Sequence, residues 1–290
     1  MMNGLTSPYS VAIASRAAAV GKEDEDLQVI DALHRRGIDA VHVAWDDPAA
    51  DWSSFRLVVI RSTWDYPRRR DAFLAWAEAL PRVLNPLPIL HWNTDKRYLE
   101  HFIKAGMPVI PTRFVEPGDP VELPGVSFVV KPAVSCGARD TARYAPNELA
   151  PAREHVRRLQ AEGRTVIVQP YLAEIEASGE VAVIFIGGVY SHAIRRGALL
   201  NAGQPAECVP LDVRPHDATP EERRLAEAVM SHVPSQASEL LYGRVDLVPG
   251  PDGGAVILEV ELTEPALFLE YSNGGVDRLA GGIGAALARS

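Results

Sequence analysis

The sequence predicts an α/β plus α+β protein, with a parallel α/β module first and an α+β module rich in antiparallel hairpins after it. Three observations carry this. Apolar strand-like runs alternate with amphipathic helices through the first third, the rhythm of βαβ units. Gly187-Gly188 and "PGPDGG" (249–254) each interrupt a pair of strand-like runs, as hairpin turns do. The chain has 290 residues, 47% of them hydrophobic, enough for more than one core. Composition and pattern change near residues 90 and 170, giving segments 1–90, 91–170 and 171–290.

Taken in order, "SVAIAS" (10–15) is a short apolar strand. "DEDLQVIDALHRRG" (24–37) has Leu27, Ile30 and Leu33 at helical spacing, an acidic start and a glycine stop. "DAVHVAW" (39–45) and "FRLVVIR" (55–61) are strands, "RRRDAFLAWAEAL" (68–80) is a helix ended by Pro81, and "RVLNP" is a short strand. "TDKRYLEHFIKAG" (94–106) is a helix with Thr94 as cap and Gly106 as stop. "VSFVVKP" (126–132) is a strand, and "AVSCGARDTARY" is a loop of small and polar residues. "NELAPAREHVRRLQAEG" is mostly helical and "TVIVQPYL" is a strand. "EVAVIFIGGVYSHAIRR" is a hairpin. "TPEERRLAEAVMSHV" begins with Thr219, Pro220 and Glu222 as cap, first position and capping-box partner. "LLYGRVDLVPGPDGGAVILEVEL" is a second hairpin, and a last helix runs through "DRLAGGIGAALA".

Bulk properties exclude several classes. A net charge of −9 argues against a nucleic-acid partner, though not against a local basic pocket. No run of eighteen apolar residues offers a membrane span. The N-terminal stretch reads as a leader into the first strand rather than a signal peptide. Cys136 and Cys208 have neither metal-type nor redox-type spacing, which suits a reducing cytoplasm.

The chemistry begins in "AVILEVELTEP" (255–265). Period-two alternation puts Glu259 and Glu261 on one strand face, about 7 Å apart. If the hairpin loop spans 249–254, Asp246 faces Ile257 and joins them. Converging carboxylates repel, and a hard divalent cation relieves that repulsion. Magnesium held by few carboxylates completes its shell with substrate phosphates. The alternative is a solvated acidic face, disfavoured by the apolar flanks and the matching aspartate. Lys131 ends an apolar strand just before Ala133, Ser135, Gly137 and Ala138, a loop whose backbone can approach phosphate oxygens. It is not a P-loop, since "GxxxxGK" is absent. Lysines are few (Lys22, Lys96, Lys104 and Lys131), so lysine at 96 and 131 hints at chemical need. Each could otherwise be merely solvated.

The ordered set "TDK…GMPVIPT", "FVVKPAVSCGARD", "VIVQPYL", "GEVAVIFI", "SHAIRR", "GRVDLV" and "ILEVELTEP" resembles the ATP-grasp superfamily, in the branch near glutathione synthetase and D-alanine–D-alanine ligase. The resemblance implies an ATP-grasp fold: an N-terminal parallel α/β (pre-ATP-grasp) domain over 1–90, and two α+β subdomains, 91–170 and 171–290, clasping ATP. It implies that Lys96 and Lys131 contact the nucleotide phosphates and that the loop 133–140, with Ser135 and Gly137, closes over them. Gln169, Pro170, Tyr171 and Leu172 would form the adenine hinge, read by backbone groups of Tyr171 and Leu172, with Glu180 also on the nucleotide. Arg195, with Lys131, would stabilise the transferring phosphoryl group. Asp246, Glu259 and Glu261 would hold one or two Mg2+ ions, with Mn2+ as an alternative. Glu261 departs from the family's usual asparagine and leaves the ion count open. The implied reaction phosphorylates a small amino-acid-like carboxylate with ATP and lets a nitrogen nucleophile displace phosphate. The implied assembly is a homodimer.

Substrate should sit at the carboxyl ends of the N-terminal strands. There, in "VVIRSTWDYPRRR", Arg61 or Ser62 would hold a carboxylate while Trp64 and Tyr66 wall the pocket or simply pack the core. Glu264 would face substrate or cap the next segment. "WDDPAADWSSF…RSTWDY" with "LTEPALFL" also resembles a smaller ATP-grasp group that includes the cyclo-ligase closing O-ureidoserine to cycloserine, whose nucleophile is the substrate's own nitrogen. An intermolecular amino-acid or dipeptide ligase fits equally. A kinase, a non-catalytic ATP-binding module and a magnesium-dependent phosphoesterase are the competing classes; the hinge segment argues against the last.

Overall fold

The computed structural model describes residues 10–198, 200 and 212–289, so Cys208 and the first nine residues of the leader lie outside the described residues. Strands β1 (Val11–Ser15), β2 (Ala40–Ala44), β3 (Leu57–Ile60) and β4 (Val83–Leu84) form a parallel sheet in the order β2-β1-β3-β4. Helices α1 (Asp24–Arg35) and α2 (Arg70–Glu78) belong to this module. β1 and β3 are buried on both faces, which is why they read as unbroken apolar runs. Val11, Ile13, Leu57 and Val59 face α1, while Ala12, Ala14, Val58 and Ile60 face Trp45, Phe73 and Leu74. The chain leaves β1 toward β2 and leaves β3 toward β4, so the sheet has its switch point between β1 and β3. A crevice opens at their carboxyl ends.

The helix expected over 94–106 is broken. Helix α3 (Leu87–Asn93) comes first and Thr94 closes it. The Asp95 side chain then accepts from the Arg97 N–H and starts a 3-10 turn, Lys96–Tyr98, that leads into α4 (Leu99–Lys104). The cap is therefore Asp95 rather than Thr94, and the break puts Lys96 on a turn instead of a helix face.

Strands β5 (Arg113–Val115), β6 (Phe128–Pro132), β7 (Ala142–Tyr144) and β8 (Val166–Pro170) make an antiparallel sheet in the order β5-β8-β6-β7. Helix α5 (Leu149–Ala161) covers it through Ala152, Val156 and Leu159. β7 lies inside the stretch expected to be loop; at three residues it is too short to show alternation.

The third sheet is antiparallel, with β9 (Glu180–Ile186), β10 (Val189–Arg196), β11 (Val213–His216), β12 (Tyr242–Pro249) and β13 (Ala255–Glu261) ordered β11-β10-β9-β12-β13. Helix α6 (Glu174–Ser178) leads into it, and α7 (Pro220–His232) opens on the expected Thr219–Glu222 capping box. Val181, Val183, Phe185, Val245 and Val260 pack with Leu99, Phe102, Val229 and Met230 on one face. On the other, Ala182, Ile184 and Ile186 share a core with Val11, Val59 and the last helix, α8 (Gly275–Ala288), through Leu279 and Ile283. The first and third sheets thus clamp α8 between them.

Candidate active site

The site grows from the β12–β13 pair. Asp246 pairs with Glu259 and Arg244 with Glu261, so these four side chains share one sheet face. The sequence puts Ile257 opposite Asp246. A β-bulge between Asp246 and Leu247 changes the register: Leu258 is the extra residue, Ile257 turns into the core, and Glu259 and Glu261 face a cavity. β13 is an edge strand, and buried polar side chains fix its outer backbone. Asn93 donates to the Val260 carbonyl and accepts from the Leu262 N–H, and the Tyr98 hydroxyl accepts from the Val260 N–H.

The cavity has a volume of about 520 Å³ and is walled by residues of all three sheets and their loops. That is the size of a small-molecule site. At one end are the four hinge residues, Gln169 to Leu172. Gln169 Nε2 donates to Thr112 Oγ1 at 2.9 Å, and the Arg143 guanidinium stacks 3.6 Å from the Tyr171 ring centroid. The Tyr171 N–H donates to the Ser127 carbonyl at 2.8 Å, and the Leu172 N–H has no partner among the described residues. In the middle, Lys96 Nζ donates to Glu259 Oε1 at 2.9 Å and to the Ser135 carbonyl at 2.7 Å. Lys131 faces the cavity with no hydrogen bond or ion pair among the described residues. Ser135 and Gly137 lie in a loop whose backbone is left-handed at Gly137, Ala138 and Asp140. At the other end Trp64, Tyr66 and Glu264 line the wall, with Trp64 Nε1 donating to the Glu264 carbonyl at 3.0 Å.

Six cations line this cavity (Arg16, Lys96, Lys131, Arg139, Arg196 and Arg244) against four glutamates, Glu180, Glu259, Glu261 and Glu264. A chain of net charge −9 therefore carries a locally basic cleft. Burial would raise Glu259, but Lys96 and Lys131 hold it below the usual carboxylate range. Burial would lower Lys96, and the Glu259 contact holds it above the usual lysine range. Lys131 is lowered, by burial and by Lys96. Burial pushes Glu261 up to about 7 in spite of Arg244, with the Glu259 and Asp246 charges adding. Burial and the Glu261 charge push Glu264 up to about 8.

Several expected roles do not match the geometry. Asp246 is fully buried, and its oxygens accept from Arg196 Nη2 at 2.7 Å and from Arg244 Nε and Nη2 at 2.8 and 2.9 Å. It sits behind the cavity wall as the acid that fixes two guanidiniums. Among the described residues no group of three or more His, Cys, Asp or Glu is arranged to hold a metal ion. Glu259 and Glu261, with 22% and 27% of their side chains exposed, do face the cavity. Two carboxylates suit magnesium that completes its shell with phosphate oxygens.

Arg195 is on the wrong face of the sheet. It donates to the Ser178 carbonyl and lies 3.2 Å from His216 Nε2, on the α7 side, in a separate hollow with Arg214. Arg196 lines the cavity instead and binds Glu180 and Asp246. The cause is a second bulge, between Tyr190 and His192. A regular hairpin from Gly187-Gly188 would set Arg195 opposite Glu180; the bulge sets Arg196 there.

Arg61 and Ser62 do not line the cavity either. Arg61 donates to Glu25, to Asp26 Oδ1 at 3.1 Å and to the Pro265 carbonyl at 2.9 Å, and Ser62 Oγ donates to Asp26 Oδ2 at 2.6 Å. Glu25 also accepts from the Leu267 and Leu269 N–H groups. This buried knot ties the N-terminal module to the loop that carries Glu264. Residues missed from the sequence are Arg16, Arg139, Arg196 and Arg244. In a chain with 29 Lys and Arg, only strand register and burial mark them out.

Residues 11–85 match the family described as D-cycloserine synthetase DcsG, N-terminal domain. The chain is 37% identical over 288 residues to the cycloserine biosynthesis protein DcsG of Streptomyces lavendulae, covering 93% of this chain and 96% of that one. A crystal structure of D-cycloserine synthetase DcsG superposes with a TM-score of 0.87 at 35% identity, over 96% of this chain and 99% of that one. The D-alanine–D-alanine ligase of Bacillus anthracis, complexed with ATP, shares the fold at a TM-score of 0.66 and 14% identity, over 96% of this chain and 97% of that one.

Proposed function

The chain belongs to the ATP-grasp carbon–nitrogen ligases, in the family of the D-cycloserine synthetases, and from that premise we propose that it closes an amino-acid-like substrate onto its own nitrogen at the expense of ATP. The observation that supports this best is the single cleft that joins the hinge, the basic middle and the aromatic crevice of the N-terminal sheet.

In this reading adenine lies at Gln169–Leu172, against the free Leu172 N–H, with Glu180 beside the nucleotide. Lys96, Lys131 and Arg196 surround the phosphates, and the left-handed loop around Gly137 covers them. Glu259 and Glu261 hold magnesium, which neutralises phosphate oxygens when bound. The substrate carboxylate oxygen attacks the γ-phosphorus, the bond to the β,γ-bridging oxygen breaks, and ADP leaves. The substrate nitrogen then attacks the acyl carbon and phosphate departs. Glu264, pushed up to about 8 and so protonated at neutral pH, lines the substrate end of the cleft. With O-ureidoserine the attacking nitrogen is the one bonded to the side-chain oxygen, and its carbamoyl group is lost by hydrolysis in a separate step. The chain's own contribution is alignment and charge stabilisation.

The test is phosphate and ADP release from Mg-ATP with each enantiomer of O-ureidoserine, with mass analysis of the product. Stoichiometric ADP, phosphate and a cyclised product support ring closure. A phosphorylated product without free phosphate would make the protein a kinase. Release only with a second amine present would make it an intermolecular ligase. A Glu259→Gln variant should lose most of the ATP- and magnesium-dependent rise in melting temperature. For the wild type, ligand at a hundred times Kd adds about 2.7 kcal/mol.

A further inference from the structure

We infer that Arg16 is the residue that recognises the substrate carboxylate, the role the sequence assigns to Arg61 or Ser62. The inference deepens the reading above and rests on its amino-acid-like substrate.

Arg16 directly follows β1, and its backbone N–H donates to the Ser62 carbonyl just past β3. It therefore stands at the switch point of the parallel sheet, where such sheets bind ligands. Its side chain lines the cleft. Of the other arginines of the cleft, Arg196 and Arg244 are held by carboxylates and Arg139 by one backbone carbonyl. Arg139 donates to the Trp64 carbonyl, Arg196 binds Glu180 and Asp246, and Arg244 binds Asp246 and Glu261. Arg16 makes no ion pair among the described residues, and its Nε is buried without a hydrogen-bond partner. Its guanidinium lies 5.3 Å from the centroid of the Trp64 ring, which fixes its plane without using its donors.

A buried cationic donor left unpaired is costly. A planar acceptor with two oxygens removes that cost and matches the guanidinium fork, and a carboxylate is the group on an amino-acid substrate that does so. Arg61 cannot serve, because its donors are already held by Glu25, Asp26 and the Pro265 carbonyl. Lys131, the unpaired lysine of the cleft, ends a strand of the central sheet beside the hinge. Arg16 and Lys131 thus come from opposite walls, Lys131 toward the phosphates and Arg16 toward the carboxylate.

The experiment compares O-ureidoserine with its carboxamide, as substrate KM and as competitive Ki, in wild type, Arg16→Gln and Arg16→Lys. The expected result is a wild type that prefers the carboxylate at least tenfold. In Arg16→Gln that preference falls to about twofold and KM rises ten- to a hundredfold, with the KM for ATP and the ATP-induced melting shift unchanged. Arg16→Lys restores part of the preference. An active wild type whose preference survives in Arg16→Gln, or that shows no preference, overturns the assignment to Arg16. A wild type that releases no phosphate with the substrate overturns the proposed function instead.

Discussion

Arg195 and Arg196 are neighbours on one strand and serve opposite faces of the same sheet. Arg196 reaches Asp246 Oδ2 at 2.7 Å behind the cleft, while Arg195 turns to the Ser178 carbonyl and His216. The bulge between Tyr190 and His192 decides which of them faces the cleft.

Arg196→Met should lower kcat by about 10²–10³, the usual loss when one preorganised charge donor is removed. Arg195→Met should keep kcat within about threefold, as for a site outside the machinery. Steady-state phosphate release measures both. A melt of each variant separates chemistry from folding, because Arg196→Met leaves Glu180 without its cation. Equal losses in the two variants would refute the face assignment.

Arg61→Ala should cost about 3–5 kcal/mol, the penalty for stranding the buried Asp26 and Glu25 carboxylates. Arg61→Lys should recover little, since one ammonium cannot reach two acids and the Pro265 carbonyl in the same fork. Urea unfolding reads this directly. A stable Arg61→Ala protein with a raised substrate KM would return Arg61 to the substrate role that its position after β3 suggests.

Glu264 gives a pH dependence of defined sign. Its carboxyl is raised from 4.5 to about 8 by burial and by Glu261, so the folded protein holds a proton that the unfolded chain has already lost. Stability therefore falls as pH rises from 4.5 toward 8 and levels off above. Glu261, raised to about 7, acts in the same direction. Glu264→Gln should flatten the curve of melting temperature against pH, with little change at pH 5 and a gain near pH 9. An unchanged slope would mean that Glu264 is ionised in the folded state.

What was legible in the sequence follows from how local each signal is. The β1 and β3 runs, the Thr219–Glu222 capping box and the Gly187-Gly188 turn are written within a few residues, and the structure has them where they were expected. Lys96, Lys131, Glu259 and Gln169 to Leu172 sit at ordered positions along the chain, and all of them line the cleft. The errors cluster at two bulges, where a single extra residue moved Ile257 away from Asp246 and exchanged Arg195 for Arg196. No short motif marks a bulge in "YSH" or "ILE", because the extra residue is set by what the strand packs against. Arg61 departs from its expected role for a different reason. Its partners Glu25 and Asp26 lie 36 and 35 positions earlier in the chain, on α1, and their capture of the guanidinium is visible only in three dimensions.

Gly179 offers a way to move Arg196 without touching its side chain. It joins α6 to β9 with φ +70° and ψ −171°, a region open almost only to glycine. A Cβ built there would stand 2.4 Å from the Arg196 carbonyl oxygen, a backbone atom that cannot swing aside. Gly179→Ala must therefore both strain its own backbone, at about 1–3 kcal/mol, and push β10 at the residue that holds Asp246. Gly187→Ala is the control: φ is +61° there, but nothing lies within 4 Å of the new Cβ. It should cost about 1–2 kcal/mol of stability and leave turnover alone. Gly179→Ala should lose stability and also lower kcat at saturating ATP, because displacing β10 mispoints the Arg196 guanidinium. If the two alanine variants lose stability alike and both keep full turnover, the strand carrying Arg196 has slack to spare, and the placement of its guanidinium cannot be what limits phosphoryl transfer.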